Sequence, residues 1–180
     1  MNAILEAAQT GATNGIAAVD AALVRFPQDA RLHFLKGSML VGEKRLIAAH
    51  TALSKAVELD PQFHIARFQL GFFELTSGEA EAALTTWRPL RDLPKGQYLR
   101  SFVEGLENLA ADRFTECIAA LREGMTQNLE NPPLNADMQL IIERCQEVLT
   151  SGGETGGEPS GDGAVSSTSF LLGTARRPAR

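Results

Sequence analysis

Cysteine is scarce in this chain. There are two in 180 residues, they stand far apart, and neither a disulfide framework nor a metal-ligand spacing can be read from them. Reduced thiols in a cytoplasmic setting are the expectation. Aromatic residues make up only 6%, mostly Phe, with one Trp and one Tyr. Val and Ile are sparse while Ala is abundant, which favours helix over sheet. Basic residues are outnumbered, 17 against 22 acidic, for a net charge of −5. A nucleic-acid or anionic-membrane surface needs a basic field, so neither partner is expected. No stretch approaches the roughly 20 apolar residues of a membrane-crossing helix. The opening MNAILEAAQTG has neither a basic segment nor a sustained apolar run, so no signal peptide is expected.

What the chain does have is a period. The stretch from Arg31 to Pro61 reads as two amphipathic helices, broken near Gly42, Glu43 and Lys44 and stopped at Asp60-Pro61. Shifted by 34 residues it recurs without insertion or deletion. Gly37 falls on Gly71 and then Gly105, Ala49 on Ala83 and then Cys117, and Leu53 on Trp87 and then Leu121. A fixed period of this length is the mark of stacked helix pairs. The small residues at these positions let two helices approach closely.

Taken in order, residues 2–10 are a short helix candidate, Gly11 to Asn14 a turn, and Gly15 to Arg25 a second helix ending at Phe26-Pro27. Pro61 maps back onto Pro27 and Ala49 onto Gly15, so this segment is a shortened repeat. Full repeats follow over about 30–63, 64–97 and 98–131, with Asp29 as a cap for the first and turns at Ser77-Gly78 and near Asp112. Pro89 falls where a helix should continue, so that helix should end near Arg88 or kink there. A last helix to about Thr150 carries the stripe Leu134, Met138, Ile141, Ile142, Cys145 and Val148, with Asp137, Glu143, Arg144 and Glu147 opposite. One apolar and one polar face suit a terminal cap. The expected organisation is therefore an all-α solenoid of antiparallel helix pairs over residues 1–150. Residues 151–180, with seven Gly, read as a flexible tail. The tail ends in Phe170, Leu171 and Leu172 followed by Arg176, Arg177 and Arg180.

With these residues in register the chain resembles the tetratricopeptide-repeat family over roughly residues 2–149. The first repeat supplies Gly37, Leu40, Leu46, Ala49, Leu53, Ala56 and Pro61. The second supplies Leu70, Gly71, Gly78, Ala83 and Trp87, with its proline one place early at Pro94. The third, the most degenerate, supplies Gly105, Phe114 and Leu121. Glu74 and Asn108 depart from the family pattern, standing where a large apolar residue is usual. The resemblance implies a protein-binding adaptor or scaffold whose first helices line a concave groove. Carried over residue by residue, it assigns to that groove Phe34, Ser38 and Val41, then Phe68, Gln69, Phe72 and Leu75, then Phe102, Leu106 and Leu109. The branch of the family that grips a C-terminal carboxylate uses Lys, Asn and Arg at such places. Only Arg31 is basic here, at a position where that branch does not rely on it.

The expected partner is thus a protein segment, an extended peptide or an amphipathic helix, held on apolar side chains. Alternatives are a secretion chaperone of the type III translocator kind and an accessory subunit of an enzyme complex. The tail cluster Phe170, Leu171 and Leu172 could dock in the chain's own groove or a neighbour's. No enzyme activity, cofactor or metal is expected. His33, His50 and His64 occupy three different repeat positions and do not converge by period. Cys117 and Cys145 read as buried, inert thiols.

Overall fold

Turn chemistry sets the punctuation of this fold. Three residues adopt left-handed backbone at intervals of 34: Lys44 at φ 58°, Gly78 at 88° and Asp112 at 55°. The same two hydrogen bonds surround each. Arg45 N donates to Leu40 O at 3.0 Å and Lys44 N to Val41 O at 2.9 Å. Glu79 repeats this to Glu74 at 2.9 Å and Gly78 to Leu75 at 3.0 Å, and Arg113 to Asn108 at 2.9 Å and Asp112 to Leu109 at 3.0 Å. This paired closure satisfies carbonyls that a helix end leaves open. Only the middle turn uses the residue that enters this backbone region without strain.

The computed structural model describes residues 12–151. The helix candidate at 2–10 and the tail, including Phe170, Leu171 and Leu172, lie outside the described residues. Among those described, every regular element is helical: α1 (Ala12–Arg25), α2 (Ala30–Gly42), α3 (Leu46–Leu59), α4 (His64–Thr76), α5 (Ala80–Trp87), a 3-10 turn (Arg88–Asp92), α6 (Tyr98–Ala110), α7 (Phe114–Gln127) and α8 (Pro132–Ser151). The fold is all-α, built of antiparallel helix pairs in repeat register, the class that the period predicts. One boundary differs. α1 begins at Ala12 rather than Gly15. Gly15 is buried inside the helix and serves as the small residue of its repeat position, not as a helix start. The chain divides into two compact units between Phe73 and Glu74.

In the first unit α1 lies on α2, and α2 pairs with α3. Asp29 caps α2, accepting a hydrogen bond from Arg31 N at 2.9 Å. The Arg31 guanidinium folds back onto the same carboxylate, Nη2 to Oδ2 at 2.8 Å. Ile16, Leu40, Ala49 and Ala52 form a core, with Met39, Val41, Ala48 and Phe73 packed round it. At the α2–α3 crossing a Cβ on Gly37 would lie 2.7 Å from Leu53 Cγ. Glycine is what lets the helices meet there.

The second unit repeats that crossing two periods later. A Cβ on Gly105 would lie 2.5 Å from Leu121 Cδ2. The expected break also appears. α5 stops at Trp87, and Arg88–Asp92 tighten into a 3-10 turn with Pro89 in its first positions, where a missing N–H costs least. This turn lies against α6 and buries Leu90 completely. Arg91 Nε meets Glu107 Oε1 at 2.6 Å, and Arg100 donates to Leu93 O at 2.8 Å. α8 packs on α7 with Met138, Ile141, Ile142 and Cys145 buried, while Asp137, Glu143, Arg144 and Glu147 face water. Buried Asn128 ties the two helices. Its amide donates to Asn131 O at 2.8 Å and to Asn135 Oδ1 at 2.7 Å, and its oxygen accepts from Asn131 N at 3.0 Å.

Candidate functional site

Helices α2 and α4 carry the part of the assigned face that retains exposed surface. Phe34, Ser38 and Val41 on α2, and Gln69 and Phe72 on α4, are all half-buried. The two helices meet through Ser38 Oγ, 3.0 Å from Gln69 Oε1 and 3.0 Å from its own helix at Phe34 O. A hydroxyl carries one proton. Both contacts are satisfied together when Ser38 donates to Phe34 O and Gln69 presents its amide NH2 to the hydroxyl. The result is a polar clasp set among aromatic rings. Phe34 stands 5.1 Å from Phe63, tilted by 58°, and Phe72 stacks on Phe68 at 6.2 Å. Such pairs hold rings in place beyond what burial alone does.

The other five assigned residues have almost no surface to offer. Phe68 is 1% exposed, Leu75 2%, and Phe102, Leu106 and Leu109 0%. The phenylalanines at the 34-residue spacing are therefore not three equivalent groove residues: Phe34 is half-open, Phe68 and Phe102 are core. Phe102 fills the space over Gly124, where a Cβ would come within 2.6 Å of ring atom Cε1. Sequence reasoning also missed Phe63. Asp29 and Gln97 stand at the corresponding repeat positions, so the period holds no signal for an aromatic there.

Other side chains come together without periodicity. His33 and His50 line one depression of about 690 Å³ between α2 and α3, with Lys36, Lys55 and Glu58. Several of its polar groups are already engaged. His33 Nε2 is 2.9 Å from Pro27 O, Lys36 Nζ is 2.7 Å from Asp20, Lys55 Nζ is 2.9 Å from Glu58, and His50 packs against Phe73 at 6.0 Å. Cys117 and Cys145, read from the sequence as two separate thiols, lie 3.8 Å apart, sulfur to sulfur. Among the described residues no group of three or more His, Cys, Asp or Glu is placed to hold a metal ion, and no helix is long and apolar enough to cross a membrane. The chain matches no family model and no curated protein.

Proposed function

We propose that this chain is a cytoplasmic protein-binding module of the tetratricopeptide-repeat kind, which holds a partner peptide or helix on the face formed by Phe34, Ser38, Val41, Gln69 and Phe72. The observation that carries this reading is the pairing of α2 and α4 through Ser38 and Gln69, with half-buried aromatic rings on both helices. A surface of rigid rings with a few placed hydrogen-bonding groups is what a helix or strand docks on. Two of the assigned residues, Ser38 and Gln69, are polar where Leu106 and Val103 occupy the matching positions of the third repeat. Free cysteines and an acidic net charge of −5 support a reducing compartment and a protein partner.

Affinity purification of the full chain from its native source tests this. Phe72→Glu puts a charge on the face, and Ile47→Glu puts one on an apolar side chain that is 88% exposed elsewhere. The expected outcome is a partner held by the wild type and by Ile47→Glu and lost by Phe72→Glu, with helical circular dichroism intact in all three. Equal retention by Phe72→Glu, or no partner at all, overturns the reading.

A further inference from the structure

Cys117 and Cys145 sit on different helices, separated by 28 positions along the chain, yet their sulfurs are 3.8 Å apart and both residues are fully buried. Packing alone does not ask for a thiol here. Ala49 and Ala83 fill the corresponding places of the first two repeats, and both are fully buried. Only in the third repeat does this position face another helix that also presents a cysteine. We infer that Cys117 and Cys145 form a redox-responsive pair, which a peroxide closes to an intramolecular disulfide that staples α8 to α7.

The geometry needs little adjustment. A disulfide has its sulfurs about 2.05 Å apart, so a closure of about 1.8 Å from the observed 3.8 Å is shared between two side chains. The two thiols also differ. The hydrogen bond the two thiols share, followed by burial, pushes the Cys117 thiol up, whereas the same bond holds Cys145 below its ordinary value against the effect of burial. Cys145 lies near the C-terminal end of α8, where fraying opens a path for a small oxidant, and this position makes it the sulfur that reacts first. Its thiolate attacks one oxygen of hydrogen peroxide. The O–O bond breaks, the released hydroxide takes a proton to become water, and Cys145 becomes a sulfenic acid. Cys117 then attacks the Cys145 sulfur, a second water leaves, and the S–S bond forms. Overall, two thiols and one peroxide become one disulfide and two waters. A thiol or dithiol reductant reverses it by exchange. Reversible bonds of this kind are the usual form of disulfide in a reducing compartment.

The consequence falls on α8. Cross-linking residues 28 positions apart constrains the unfolded chain and anchors the helix on α7. The test uses the full chain, whose only two cysteines are these. It is treated with hydrogen peroxide, alkylated under denaturing conditions and mapped by mass spectrometry, with thermal unfolding followed alongside. Both thiols should disappear together into one linked peptide pair, dithiothreitol should restore them, and the midpoint of unfolding should rise by about 5 °C or more. Cys117→Ala and Cys145→Ala, each checked for helicity, should show neither the link nor the rise. Thiols that survive peroxide in the folded chain overturn the inference. So does oxidation of either cysteine singly, or a bond between two chains. Should a variant fail to fold, peptide mapping of the wild type alone still decides.

Discussion

Helices α2 and α6 stand at the same place in the repeat, two periods apart, and each crosses its partner at a glycine. Gly37 meets Leu53 and Gly105 meets Leu121 in the same way. Yet α2 buries only Ala30, Leu32, Gly37 and Leu40, while α6 buries eight of its thirteen residues. Phe34 and Phe102 share a register position, and only the second is sealed. The difference comes from what lies on the other side. Pro89 ends α5 early, and the 3-10 turn that follows lays Leu90 against α6. Gly124 on α7 leaves room for the Phe102 ring. The repeat thus dictates how a pair of helices meets. The irregular segments dictate which faces of those helices stay open.

The strongest way to break this comparison is to truncate both phenylalanines. Phe102→Ala should cost about 3–5 kcal/mol, the range for emptying a sealed aromatic site. Phe34→Ala should cost about 1–2 kcal/mol, since its ring keeps part of its surface in water and leaves no sealed cavity. Urea unfolding of the two variants measures both. Equal losses would mean that the open and closed faces are energetically alike.

A smaller effect tests the start of α2. Removing the cap with Asp29→Ala should cost about 1 kcal/mol, and the loss should depend on pH. The side-chain hydrogen bond from Arg31 leads the causes that hold the Asp29 carboxyl below its ordinary value of 3.8. A carboxyl that ionises more readily in the folded chain contributes stability above its unfolded value and loses it as pH falls through the folded one. The gap between wild type and Asp29→Ala should therefore be constant above about pH 4 and shrink below it. An unchanged gap at pH 2 would show that the charge plays no part.

The smallest effect compares the turns. Gly78 takes its left-handed conformation freely, whereas Lys44 and Asp112 do not. Lys44→Gly and Asp112→Gly should each stabilise by about 0.5–1 kcal/mol, the relief of backbone strain less the added freedom of the unfolded chain. A shift in the midpoint of denaturant unfolding reads this directly, and destabilisation would mean that those side chains make contacts worth more than the strain.

Much of the architecture was legible in the residues. The period of 34, the small residues at Gly37 and Gly105, the cap at Asp29, the stop before Pro89 and the two-faced last helix all depend on near neighbours in the chain or on a regular spacing. Local backbone chemistry is written into local sequence, and a repeat writes it several times. The candidate site was legible only in part. Phe34, Phe68 and Phe102 look alike at their spacing, and nothing in it tells a half-open ring from a sealed one. That depends on Gly124 and on a 3-10 turn outside the helical pattern. Phe63 has no counterpart at its repeat positions, and the Ser38–Gln69 clasp joins residues 31 positions apart.

The cysteines mark the same boundary. By itself the sequence determined that the chain folds as repeated helix pairs, where the turns fall, and that Cys117 occupies a packing position made for a small side chain. Only the tertiary structure decided that Cys145 would be brought to 3.8 Å from it, because the contact depends on the angle and rotation at which α8 settles on α7. Those are set by Met138, Ile141 and Ile142 packing together with the Asn128 tie, a collective fit of many side chains that no single spacing along the chain encodes.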